Sequence, residues 1–142
     1  MIKEFKEEYR WLSNFYLVDI RYEGKRFASV EYAYQSAKSN DRDWKKLCKE
    51  GKLKQSKIKR QSRNIERVAN WDSIKIDVMR TCLEAKFAQE PLRTLLLETG
   101  DQHIQEGNTW GDVFWGVDLE TGEGKNQLGK LLMEIRAELK GS

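Results

Sequence analysis

The stretch Ser29-Val30-Glu31-Tyr32-Ala33-Tyr34-Gln35-Ser36-Ala37-Lys38 concentrates more reactive side chains than any other part of this sequence. On a helix, Glu31, Tyr34, Gln35 and Lys38 stand at i, i+3, i+4 and i+7 and share one face. That face offers a carboxylate, a phenol, an amide and an amine. Spacing alone leaves two readings open: a polar face in water, or a reactive one. Ser29 is a good N-cap, because its hydroxyl can accept from a first-turn amide. Glu31 then lies in the first turn, where the helix macrodipole favours an ionised carboxylate. Such a group suits water activation or stabilisation of a cationic sugar better than proton donation. A general acid would need burial to raise its pKa against the dipole.

Two further clusters can meet a ligand. Trp110, Phe114 and Trp115, followed by Gly116, can stack on a nucleobase or serve as plain core. Trp11, Phe15 and Tyr16 carry the same ambiguity, and between them Ser13 and Asn14 offer polar contacts from a loop. Gly122-Glu123-Gly124-Lys125-Asn126-Gln127-Leu128-Gly129 runs into a helix, so its amides can face a phosphate. It is not a Walker A loop, since Asn126 follows Lys125 where Ser or Thr is needed, and its spacing is not that of a dinucleotide fold. His103 is the only histidine and reads as structural. Cys48 and Cys82 lack CxxC spacing, so neither a disulfide framework nor a zinc site is expected. No metal and no cofactor is implied.

The formal net charge is +3, unevenly placed. Positions 42–67 hold eleven basic residues and three acids. Such polarity fits an anionic partner (phosphate, nucleotide or nucleic acid), and it equally fits a well-solvated helical surface. The N-terminus is charged and lacks an apolar signal core, and no apolar run approaches the ~18 residues that span a bilayer. A reducing, cytoplasmic setting without membrane contact is expected.

These residues need elements to position them. The 142 residues predict one domain with one core, spanning 1–142. Alternation over Leu17–Tyr22 predicts a strand, Glu23-Gly24-Lys25 a turn, and Arg26-Phe27 a short return strand. Helices are predicted from Val30 to about Asn40, over about 42–50 before Gly51, and over about 55–67. Asp72 is the expected cap of the next helix, whose stripe is Ile74, Val78, Met79, Cys82, Leu83 and Phe87. Pro91 opens another helix that ends before Gly100. His103-Ile104 and Val113-Phe114-Trp115 read as strands around a turn at Glu106-Gly107-Asn108, and a last helix buries Leu128, Leu131, Leu132, Ile135 and Leu139. The class is α+β: a mainly helical single domain with a small, antiparallel sheet.

Several pieces occur together and in order: Leu12-Ser13-Asn14-Phe15, Ser29-x-Glu31-x-x-Tyr34-Gln35-x-x-Lys38, Phe114-Trp115-Gly116, and Gly124-Lys125-Asn126-x-Leu128-Gly129 leading into Leu132-Met133-Glu134-Ile135-Arg136. In this the chain resembles the NADAR family of YbiA-like N-glycosidases. Tyr32 stands where many members carry histidine, and of a frequent Gly-Arg pair in the basic helix only Arg60 matches. The resemblance implies a YbiA-like fold and cleavage of a bond between a ribosyl carbon and a base nitrogen. It makes Glu31 and Lys38 the expected catalytic pair. Lys38 would donate a proton or hydrogen bond, or form a Schiff base. Ser13, Asn14, Phe15, Tyr34, Gln35 and Gly116 are expected to contact substrate. Trp115 would pack on the base or sugar, and Arg60, Gly124 and Asn126 would hold phosphate or ribose. Two substrate classes follow: ADP-ribose on guanine in DNA, favoured by the basic stretch, and phosphoribosyl-linked early intermediates of riboflavin biosynthesis. A non-catalytic module that binds ADP-ribose or nucleic acid is the rival from another class.

Overall fold

In the computed structural model, which describes residues 1–142, residue contacts gather into two compact units. One is Asn14–Lys86; the other combines Met1–Ser13 with Phe87–Ser142.

The unit Asn14–Lys86 opens with a hairpin, β1 (Ile20–Tyr22) paired antiparallel with β2 (Lys25–Phe27). Tyr22 pairs with Lys25, so the turn is the two residues Glu23 and Gly24. Both have positive φ, 51° and 76°, as a tight turn matching the strand twist requires. Ile20 and Phe27 pair and are buried, while Asp19 and Arg21 face solvent.

Helix α1 (Val30–Ala37) follows, and Ser29 caps it as expected: its hydroxyl accepts from Tyr32 N at 3.2 Å. It also donates to Gln55 Oε1 at 2.7 Å. The helix stops sooner than its sequence predicts, because Ser39 Oγ accepts from Asp41 N and Asp41 caps α2 (Arg42–Glu50). That helix ends at Gly51, whose φ of 65° is the left-handed stop. Trp44 and Cys48, one turn apart, are its buried residues, and it packs on α1. The basic stretch then forms only a short α3 (Gln55–Gln61) and a 3-10 turn at Ser62–Asn64. Ile58 is the one buried apolar side chain of α3, too little to hold a longer helix against the core. Helix α4 (Trp71–Phe87) begins at Trp71, so Asp72 lies inside its first turn instead of capping it.

In the other unit, a 3-10 helix at Glu7–Leu12 brings Trp11 edge-on to Phe87, ring centroids 6.2 Å apart. Helix α5 (Leu92–Glu98) follows Pro91 and ends before Gly100. Ile2 bridges Ile104 in parallel. The expected turn at Gly107-Asn108 is instead a strand, β3 (Gly107–Asn108), paired in parallel with β4 (Val117–Asp118). Small antiparallel pairing is thus confined to the hairpin β1–β2.

Val113–Trp115 is not a strand either, for a clear reason. Helix α6 (Gln127–Lys140) begins with donors that lack intrahelical partners. The amides of Lys125, Asn126, Gln127 and Leu128 donate to the carbonyls of Val113, Gly116, Phe114 and Trp115. The aromatic segment is shaped to meet them. Gly116 has to be glycine, since a Cβ there would run into the Glu106 carbonyl and carboxylate. No helix is long and apolar enough to cross a membrane. Removing the double role of the cap hydroxyl, Ser29→Ala, is expected to cost roughly 1–2 kcal/mol in a denaturant unfolding titration.

Candidate active site

The polar face of α1 lies inside the protein. Glu31 and Tyr34 are each 5% exposed, Gln35 2% and Lys38 9%. A face of plain solvated polarity is therefore excluded, and each reactive group has a neighbour that fixes it. Gln35 Nε2 donates to Glu31 Oε2 at 3.0 Å. The amine of Lys38 sits over the Tyr34 ring, 5.4 Å from its centroid, and donates to Ser62 Oγ at 3.4 Å. Trp71, opening α4, packs on Tyr34 at 5.2 Å between ring centroids.

The Asn14-Phe15 loop closes over the start of this face. Asn14 O accepts from Glu31 N at 3.0 Å, so a free amide of the helix start is satisfied from outside the helix. Asn14 Nδ2 donates to Met79 Sδ at 3.5 Å, and Phe15 O accepts from Gln55 Nε2 at 2.9 Å. Two buried acceptors, Asn14 Oδ1 and Gln35 Oε1, have no hydrogen-bond donor. Buried polar atoms are nearly always paired, so these two stand out on this face.

The carbonyls at the end of α1 are taken by other elements. Trp44 Nε1 donates to Gln35 O, Lys45 Nζ to Ser36 O, and Val68 N to Lys38 O, at 2.7, 3.0 and 2.8 Å. Tyr32 is structural: its hydroxyl donates to Leu53 O at 2.6 Å and anchors the loop between α2 and α3. Burial also pushes the free thiols Cys48 and Cys82 up to about 12, so both are neutral hydrophobic fillers.

Electrostatics single out Lys38. Its burial lowers the amine from 10.5 to about 8, the Glu31 carboxylate opposes that, and Arg67, Lys59 and Lys75 add to it. Lys86, on the buried stripe of α4, is wholly inaccessible; its amine lies 5.6 Å from the Tyr16 ring centroid, and burial lowers it to about 7.

Of the expected contact residues, Asn14, Phe15, Tyr34, Gln35 and Arg60 lie in the unit Asn14–Lys86 with Glu31 and Lys38. Arg60 is exposed. Ser13, Trp115, Gly116, Gly124 and Asn126 belong to the other unit. There Trp115 is half-buried, edge-on to Phe114 with centroids 4.9 Å apart, and its amide donates to Asp112 Oδ1. Gly124, at φ 146°, lies against the Gly116 carbonyl, where no Cβ fits.

Asn126, expected to hold phosphate or ribose, is engaged within the fold at both ends of its amide. Its side chain is buried, Oδ1 accepts from Glu106 N, and Nδ2 donates to Ile104 O, at 3.0 and 2.9 Å. The amides of residues 125–128 are likewise committed to carbonyls, so the glycine-rich loop is a helix-start clamp.

The sequence reading missed Ser62, Trp71, Lys75 and Lys86. For Trp71, Lys75 and Met79 a signal existed, i, i+4 and i+8 on α4, and Lys86 falls on that same face. Ser62 has no such signal.

The lowered amine of Lys38 makes a sign-definite expectation. The unfolded chain holds that proton up to 10.5, the folded chain only to about 8, so stability from this group rises with pH across the interval. Relative to Lys38→Met, the wild type should gain up to about 3 kcal/mol between pH 8 and 10.5. Unfolding titrations of both chains at several pH values check this; parallel curves would contradict it.

Comparisons with known proteins cover nearly the whole chain. The family model for the NADAR domain matches residues 2–140. The chain is 36% identical over 136 residues to N-glycosidase YbiA of Escherichia coli (strain K12), covering 94% of this chain and 83% of that protein. It is also 36% identical over 136 residues to a riboflavin biosynthesis protein of Vibrio vulnificus, covering 94% of this chain but 36% of that longer protein. The NMR structure of the E. coli protein YbiA superposes with a TM-score of 0.83 at 32% identity, covering 99% of this chain and 87% of that one. With the family model matched over nearly its whole length, the chain belongs to the NADAR family.

Proposed function

We infer that this chain is an N-glycosidase, and we propose that its substrate is ADP-ribose linked to guanine in DNA. The observation that carries the reading is the burial of Glu31 and Lys38 on one face, each with its own positioning partner. Burying such groups costs several kcal/mol. A module that only bound ADP-ribose or nucleic acid would have no need of them. The YbiA relatives, at 36–37% identity over 94% of the chain, carry the name N-glycosidase.

Cleavage of an N-glycosidic bond builds positive charge on the sugar as the base leaves. The Glu31 carboxylate, oriented by Gln35, stabilises that charge. Asn14 Oδ1 and Gln35 Oε1 accept from the sugar hydroxyls. With its amine near 8, roughly a tenth of Lys38 is neutral at pH 7 and nucleophilic. It attacks the anomeric carbon as the bond to the base nitrogen breaks, and the proton the amine sheds passes to that departing nitrogen. The linked sugar opens to a Schiff base, which water hydrolyses to free the lysine.

DNA is favoured over a small phosphoribosyl compound because nine of the eleven basic residues in 42–67 are exposed, far more than one phosphate engages. Riboflavin intermediates are the second reading, supported by the name of the Vibrio relative. The buried free thiols suit a reducing cytoplasm.

Incubation with ADP-ribosylated DNA and, separately, with phosphoribosyl-pyrimidine amines, followed by mass analysis, tests the assignment. Free ADP-ribose and restored guanine are expected from the first. Release only from the second transfers the function to riboflavin intermediates. Glu31→Gln should lower turnover by orders of magnitude with its unfolding curve intact, and near-wild-type activity would sink the role of Glu31. Borohydride added during turnover should trap a sugar on the wild type and none on Lys38→Met. Absence of an adduct in the active wild type would remove the Schiff base.

A further inference from the structure

Lys86 has no exposed surface, although it carries an amine. It lies in the last turn of α4, on a stripe whose other members, Met79, Leu83 and Phe87, are buried and apolar. Taking an amine out of water costs free energy that a methionine of similar length would not. The macrodipole at a helix C-terminus favours a positive charge at this place. That charge meets the Tyr16 ring: the amine lies 5.6 Å from the ring centroid, within the range of cation–π attraction.

Tyr16 belongs to the loop that covers the start of α1. In that loop Asn14 O accepts from Glu31 N at 3.0 Å, Asn14 Nδ2 donates to Met79 Sδ at 3.5 Å, and Phe15 O accepts from Gln55 Nε2 at 2.9 Å. Helix α4 therefore holds the loop at two points of one face, Met79 and Lys86, two turns and about 10 Å apart along the axis. A thioether is a weak acceptor, so the charge on the ring is the firmer of the two holds. Tyr16 stands two residues beyond Asn14, at most about 7 Å of chain. Where the ring is fixed, the Asn14 carbonyl is fixed with it.

We propose that Lys86 is a positioning residue: its amine, set against the Tyr16 ring, clamps the loop at 14–16 onto α4, keeps the Asn14 carbonyl on the Glu31 amide and so fixes the Glu31 end of the reactive face. The effect on turnover rests on the N-glycosidase reading; the clamp itself does not. Lys86 touches no substrate and acts through Tyr16 and Asn14. An apolar residue in its place would pack as well and hold the helix as well, but it would leave the ring without a charge to hold it. The free energy spent on burying the amine thus secures the site and not the core.

Amide hydrogen exchange and turnover, read on the same variants, test it. Lys86→Met keeps the length of the side chain and drops the charge. In this variant the Glu31 amide should exchange about tenfold faster or more, while the Val68 amide, bonded to the Lys38 carbonyl at the far end of α1, stays within about twofold. The thermal unfolding midpoint should hold or rise, since a buried amine is gone. The kcat on ADP-ribosylated DNA should fall by about tenfold or more. Tyr16→Leu should reproduce the faster Glu31 exchange, and it carries the test if Lys86→Met does not fold. Tyr16→Phe, which keeps the ring face, should leave that amide at the wild-type rate. Unchanged Glu31 exchange in both Lys86→Met and Tyr16→Leu, or Glu31 and Val68 amides quickened alike, would overturn the clamp. Quickened Glu31 exchange with an unchanged kcat would overturn its role in positioning. Exchange is read without substrate, so an inactive protein whose Glu31 amide responds as expected sinks the N-glycosidase reading alone. An active one whose Glu31 amide does not respond sinks the clamp alone.

Discussion

The unit Asn14–Lys86 is organised by the need to bury a carboxylate and an amine on one eight-residue helix. A helix that short has little stability of its own in water. Its ends are therefore held from outside. Ser29 and the Asn14 carbonyl satisfy amides at the start, and Trp44, Lys45 and Val68 satisfy carbonyls at the finish. Those five contacts come from the entering chain, α2 and the segment leading to α4. The rigid placement of Glu31 and Lys38 and the packing of half the chain are thus one problem with one solution.

The other unit solves a different problem with similar means. Helix α6 needs acceptors for its first amides, and the segment 113–116 supplies them. Asn126 and the glycines at 116 and 124 allow the chains to approach closely enough for those bonds. Residues that resemble a phosphate loop in composition are therefore a structural clamp. Glycine-rich sequence before a helix offers amides to a ligand only when no carbonyl has taken them first.

How much of this was legible depends on the range of the deciding interaction. Ser29, Gly51 and Gly100 mark boundaries through their own backbone or the next few residues, and each was readable. So was the shared face of Glu31, Tyr34, Gln35 and Lys38, because helical spacing is local. Its burial was not, since polar residue types predict exposure and the cover comes from Asn14, Ser62 and Trp71. Val113–Trp115 has the composition of a strand, yet a helix start in need of acceptors, some ten residues on, decided its shape. Asp72 looked like a cap because the side chain was right and only the register was not.

Tyr32 follows directly after Glu31, at a position where many members of the family carry histidine. Its phenol reaches across to the Leu53 carbonyl, and burial moves its pKa upward, further from any physiological titration. Substitution at this position is therefore a change in how a loop is moored, not in how a proton is moved. A phenol offers one donor whatever the acidity of the cell. An imidazole offers one or two, according to its charge. In this member of the family, the attachment between α1 and the basic stretch is insulated from pH, and sensitivity to protons is left to the lysine two turns away.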